Sequence, residues 1–215
     1  MCFRPRQLVA LVIAFCGAEN FAPAASPAPG LERFYIGTYA GAIYQSSLNP
    51  GTGSFGAISV AATTGNPSFV AITPNRRFLY AVDEFAGLVV GFSVNPTNGV
   101  LTFLNQQSSN GSGPAHVVVD SSGRNVLVAN YGGGSVTVFP IQANGQLGAA
   151  TAHVQHPGVS PHAHCTTLDA SNSFAFVCDL GLDQIRSYVF NPAAGTLTTN
   201  TTLITSVAAG SGRDI

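Results

Sequence analysis

The sequence predicts an all-β fold in which four-stranded antiparallel sheets repeat along the chain, and three observations predict it. Asn66-Pro67, Gly113-Pro114 and Ser160-Pro161 each open an apolar run, and their prolines are separated by two intervals of 47 residues. Within each interval the same succession of short apolar runs and polar turns recurs. No run carries the 3.6-residue periodicity of an amphipathic helix. Four short strands in every 40–50 residues or so are the mark of a β-propeller blade.

Each unit then reads as follows. The opening run leads to a polar turn, Thr73-Pro74-Asn75-Arg76, Asp120-Ser121-Ser122-Gly123 or Asp169-Ala170-Ser171-Asn172. A second run (Phe78 to Val82, Val126 to Ala129, Phe174 to Cys178) ends in a small polar residue, Asp83, Asn130 or Asp179. A third run follows, from Leu88 to Val94, Ser135 to Ile141 and Ile185 to Phe190. The units close on glycine-bearing turns, Asn49 to Gly53, Asn95 to Gly99, Ala143-Asn144-Gly145 and Asn191 to Gly195. Gly and Asn there supply the positive φ angles of tight hairpins. The first unit starts at Phe34-Tyr35-Ile36-Gly37-Thr38-Tyr39, which aligns with a second strand, so its innermost strand has to arrive from elsewhere. The expectation is about four blades in an open partial ring with exposed edges.

Composition narrows the function. Of the 215 residues 8% are charged and 46% hydrophobic, with Gly 24, Pro 13 and no Trp. All 8 basic residues are arginines (4, 6, 33, 76, 77, 124, 186, 213). The absence of lysine excludes a Schiff-base lysine, a Walker A loop and a lysine general base. A formal charge of −1 offers no long-range attraction to a phosphate backbone, so no nucleic-acid partner is expected. No apolar run reaches the ~18–20 residues of a bilayer span.

Residues 1–25 read as an export leader, with Arg4 and Arg6, an apolar stretch from Leu8 to Cys16, and small residues at Cys16-Gly17-Ala18 or Ala22-Pro23-Ala24. A buried N-terminal helix or an uncleaved anchor is the alternative. Residues 26–32 read as linker and 33–215 as a partial propeller domain, giving a secreted or periplasmic protein with no membrane span after cleavage. Loss of the leader removes Cys2 and Cys16 and leaves Cys165 and Cys178. A disulfide and two buried thiols are both open for that pair.

Ser112-Gly113-Pro114-Ala115-His116, Asp120-Ser121-Ser122-Gly123-Arg124 and Val128-Ala129-Asn130-Tyr131-Gly132-Gly133-Gly134-Ser135-Val136 resemble the seven-bladed propeller lactonases, as do Ser160-Pro161-His162-Ala163-His164 and Asp179-Leu180-Gly181. That family includes the propeller-type 6-phosphogluconolactonases and the fungal carboxy-muconate lactonising enzymes. The resemblance covers about residues 33–212. Seven blades of this period need about 330 residues, so it implies a C-terminally incomplete chain. It also sets Arg213 where the family carries an arginine, without the proline and histidine that flank it there, and without the family's later glutamate.

In a propeller the innermost strands line the axis. Phe69, His116 and His164 fall near the same place in successive blades, so two imidazoles are expected to converge. Opening a lactone needs an acid/base and a cation for the developing oxyanion. His164 is therefore the expected acid/base and Arg213 the anion clamp, with His116 and His162 as substrate contacts. The competing reading is that the histidines only tie blades together. His153 and His156 lie upstream of His162-Ala163-His164-Cys165, but no carboxylate completes a ligand set, so no metal or other cofactor is assigned. Glu84 reads as a solvated loop carboxylate. Gly132-Gly133-Gly134 reads as a hairpin turn rather than a phosphate cradle. There is no Gly-x-Ser-x-Gly elbow.

The expected function is a hydrolase opening a small anionic sugar lactone, with inactivity of the incomplete chain one outcome. A non-catalytic binding propeller and a lactonising enzyme are the alternatives. The oligomeric state is not legible.

Overall fold

The computed structural model describes residues 13–15, 30–200 and 205–206. Every regular element among them is a β-strand, and the strands form four antiparallel meanders taken in chain order. The first comprises β1 (Ile13–Phe15), β2 (Glu32–Ile36), β3 (Ala42–Leu48) and β4 (Ser59–Thr63). The second comprises β5 (Val70–Ile72), β6 (Phe78–Asp83), β7 (Leu88–Val94) and β8 (Leu101–Ser108). The third holds β9 (Pro114–Val119), β10 (Asn125–Asn130), β11 (Ser135–Pro140) and β12 (Ala152–Gln155). The fourth holds β13 (Ala163–Leu168), β14 (Phe174–Asp179), β15 (Gln184–Asn191) and β16 (Thr196–Thr199), and β17 (Thr205–Ser206) also pairs with β15. Sheets of this kind stacked side by side, their first strands in contact, make part of a β-propeller.

The inner position of the first blade is filled by β1, whose Ile13, Ala14 and Phe15 pair with Ile36, Tyr35 and Phe34. Three residues of the stretch read as a leader thus take the innermost place in the first sheet. The rest of residues 1–25, and the linker up to residue 29, lie outside the described residues.

The turns form for the reasons their residues supply. Asp120 Oδ1 accepts the backbone N–H groups of Arg124 and Asn125 at 2.8 and 2.6 Å, and Asp169 Oδ1 accepts those of Ser173 and Phe174 at 2.8 and 2.7 Å. Each carboxylate closes its own β-turn. At the left-handed position of this turn stand Arg76, Gly123 and Asn172, with φ of 60°, 67° and 60°.

Alternate residues of a strand face opposite sides of a sheet, and here both sides are buried. Leu79 and Ala81 pack with Tyr35 and Ile43 of the first blade. Phe78, Tyr80 and Val82 pack with Val126, Val128 and Phe139 of the third. Leu127 and Ala129 pack with Ala175, Val177 and Tyr188 of the fourth. Three apolar layers between four blades leave few places for charge, which explains the scarcity of ionisable residues. Each fully buried Val, Leu or Phe contributes about 1.5–3 kcal/mol.

The register departs from the proline repeat in the fourth blade. Pro114 pairs with Asn130 and His116 with Ala129, leaving Ala115 as the extra residue of a bulge. In the fourth blade Ala163 pairs with Asp179 and Cys165 with Cys178, so His164 is the bulged residue. Ala163, not Pro161, therefore stands where Pro114 stands, and Cys165, not His164, matches His116. The loop before β13 is two residues longer than its counterpart, which breaks the proline spacing as a guide to register.

Candidate active site at the inner-strand rim

β9 and β13 are neighbouring innermost strands, and both begin at the same rim. The bulge in each re-aims its first side chains. His116 leaves β9 just after the bulge, its ring centroid 4.0 Å from that of Phe69. Its Nδ1 accepts the backbone N–H of Thr166 on β13 at 3.4 Å, so the ring proton belongs on Nε2. Burial, followed by the neighbouring His164, pushes the His116 pKa down to about 4. His116 is therefore a neutral imidazole at ordinary pH.

His164 is partly exposed. Its ring meets Tyr131 edge-on, with centroids 5.8 Å apart and planes at 83°. His164 stands on the neighbouring first strand, one residue out of register with His116, and its charge adds to burial in lowering the His116 pKa.

His162 points a different way. Its Nδ1–H donates to the Tyr131 carbonyl at 3.0 Å, and its Nε2 accepts the Ser160 hydroxyl at 3.2 Å. The ring stacks on Tyr131 at 4.6 Å and 15°. Both ring nitrogens are engaged, so His162 clamps the fourth blade's entry loop to the β10–β11 hairpin. That hairpin contains Gly132-Gly133-Gly134, and Gly134 has φ of 62°. Arg213 lies outside the described residues.

The sequence pattern did not pair Asp179 with His156. Asp179 closes β14, fully buried, with Oδ2 2.5 Å from His156 Nδ1. Its Oδ1 accepts the backbone N–H groups of His162 at 2.8 Å and Leu182 at 3.0 Å. Burial alone would raise this carboxyl, but the bonds from His156 and the two amides outweigh it and hold the pKa below the usual range. The loop that carries His162 and leads into His164 is thus fastened to one carboxylate. The signal that could have found it was the polar residue ending each second strand. Asp83 likewise accepts the Asn66 and Ala86 amides at 3.1 and 3.3 Å, and Asn130 donates to the Ser109 carbonyl at 3.2 Å.

Glu84 is not a free loop carboxylate, because the Tyr39 hydroxyl donates to its Oε2 at 2.8 Å. Burial and this carboxylate raise the Tyr39 pKa to about 12. Among the described residues no group of three His, Cys, Asp or Glu side chains could hold a metal ion. A cleft of about 1120 Å³ opens at the opposite rim between the first two blades, lined by Arg33, Arg76, Arg77, Asn75 and Tyr35, and none of the three histidines borders it.

Radially stacked meanders with imidazoles at the inner rim define a β-propeller whose candidate site lies where its first strands meet. The family model "Lactonase, 7-bladed beta-propeller" matches residues 33–213, and the chain belongs to that family. The 6-phosphogluconolactonase of Bacillus subtilis (strain 168) is 33% identical over 167 residues, covering 72% of this chain and 48% of its own length. That of Formosa agariphila is 27% identical over 161 residues, 69% of this chain and 46% of its own. The solved structure of the Pseudomonas aeruginosa periplasmic gluconolactonase PpgL is 26% identical with a TM-score of 0.76, covering 85% of this chain and 57% of that one. The chain spans about half the length of the curated relatives it matches.

Proposed function

We propose that the protein is a lactone hydrolase acting on a small anionic sugar lactone, such as 6-phosphogluconolactone, after export to the periplasm or beyond. The observation that carries this reading is the neutral His116 at the inner rim, with His164 on the adjoining first strand. His164 acts as the general base, taking a proton from water as its oxygen attacks the lactone carbonyl carbon. His116, with its proton on Nε2, donates to the carbonyl oxygen as charge develops there. Collapse breaks the bond between the carbonyl carbon and the ring oxygen, and the His164 imidazolium returns the proton to that oxygen. A hydroxy acid leaves. Arg213 holds the substrate's phosphate or carboxylate, and His162 borders the substrate while holding the loop. The relatives named 6-phosphogluconolactonase and gluconolactonase support the substrate class, and the likeness to a periplasmic gluconolactonase supports export.

A binding module is the second reading, favoured by the arginine-lined cleft at the far rim. Lactone opening by the purified chain, followed by acid release over the spontaneous rate, separates the two. Hydrolysis that exceeds the background and falls at least tenfold in His164→Ala supports the enzyme. A rate equal to background, with saturable binding of a sugar acid lost in Arg33→Ala, supports the binding module.

A further inference from the structure

The two cysteines of the described residues stand directly opposite each other. Cys165 on β13 pairs with Cys178 on β14, and residues so opposed in an antiparallel ladder project from one face, with Cβ atoms about 4.5–5.5 Å apart. A disulfide needs Cβ atoms about 3.5–4.5 Å apart, and Cα separations of the ladder's size suit it. Closing the bond therefore draws the strands together by about 1 Å.

The face matters as much as the distance. Ala175 and Val177 of β14 point into the apolar layer between the third and fourth blades. Alternation sends Cys178 to the other face with Phe174 and Phe176, and Phe174 there is 37% exposed. Neither cysteine belongs to any of the three inter-blade layers. Both cysteines are buried, on the face of the fourth blade turned away from the third.

We propose that Cys165 and Cys178 are a redox-active dithiol that closes and opens by exchange with a small-molecule disulfide of the glutathione type. One cysteine thiolate attacks a sulfur of that disulfide, forming a mixed disulfide and expelling one thiolate. The second cysteine thiolate then displaces the other half, so the protein loses two electrons and two protons and the oxidant is reduced to two thiols. The pairing already holds the two strands near the geometry of the bond, so the fold favours closure, and exchange with the thiol pool reopens it. Its closure acts on the bulge that holds His164, the residue just before Cys165. The bond forms whether or not the chain opens lactones.

The test is equilibration of the whole 215-residue chain in glutathione buffers of graded poise, acid quench, alkylation and mass spectrometry after cleavage at arginine. Residues 125–186 form one peptide holding both cysteines and no other. The expected product is that peptide lacking two hydrogens and carrying no alkyl group, restored to two alkyl groups by dithiothreitol. Its equilibrium constant should be at least tenfold larger in the native chain than in urea, with circular dichroism confirming the fold in each buffer. In Cys178→Ser, Cys165 should instead retain a single glutathione. A native constant no larger than the unfolded one overturns the proposal. So does bonding of either cysteine to Cys2 or Cys16 in preference to its partner.

Discussion

The third and fourth blades solve one problem with different chemistry. In the third, Asn130 meets the incoming connection from the second blade: its amide nitrogen donates to Ser109 O, Ser135 Oγ and Thr137 Oγ1, each at 3.2 Å. Gly111 lies so close that an added Cβ would stand 2.6 Å from Asn130 Cγ. In the fourth, Asp179 occupies the matching place, and His156 supplies the bulk and the bond that Gly111 and Ser109 leave to the backbone. A neutral amide suffices where the loop is short. A buried carboxylate with three donors holds the longer loop that carries His162 and leads into His164.

The largest effect should come from Asp179→Ala. It strands the His156 ring nitrogen and two loop amides in a dry interior, a loss of about 3–5 kcal/mol, and roughly 10 °C in the midpoint measured by circular dichroism. Asp179→Asn, which copies the third blade's latch, should lose less. Equal losses from the two would erase the contrast between the blades.

Next comes acid. His116 binds its proton near pH 6.5 when unfolded and only near pH 4 when folded, so the unfolded chain holds the extra proton between those values. Its contribution is complete above pH 6.5 and is lost as the pH falls towards 4, at up to about 1.4 kcal/mol per pH unit. His116→Phe should flatten urea midpoints plotted across that window; an unchanged slope would show that another group titrates there.

Gly111→Ala should cost about 1–3 kcal/mol by overpacking against Asn130. The matching change at Gly158, where an added Cβ meets the flexible tip of Leu182 at 2.7 Å, presses on nothing equivalent, but its φ of 140° adds strain. Comparing the two denaturation midpoints sharpens the distinction between a tight latch and a long loop. Smallest is Tyr80→Phe, which removes the hydroxyl bonded to Gly145 O at 2.8 Å and should cost about 1 kcal/mol in the same assay.

Much of this was readable from the residues, and for stated reasons. The repeat was legible because hairpins demand Gly or Asn at fixed places, and Gly99, Gly145 and Gly195 do adopt φ of 75°, 85° and 66°. The placement of His116 and His164 on neighbouring first strands was legible too, but not their register, because a bulge absorbs one residue without leaving a composition signal. The bond between His156 and Asp179 was illegible for another reason. The partners lie 23 residues apart on different blades, and a histidine outside a strand says nothing about which carboxylate it will meet. The inner strand of the first blade could be foreseen as a vacancy, but its occupant could not.

Tyr35 donates to Gly99 O, Tyr80 to Gly145 O and Asn125 to Pro192 O, each reaching from its own blade to the closing hairpin of the next. Couplings that run only between adjacent units behave like links in a one-dimensional array. Damage at one link weakens its two blades and spares the others. Heat or denaturant should therefore uncouple neighbouring blades link by link, and a blade's survival should depend on its neighbours more than on its own composition.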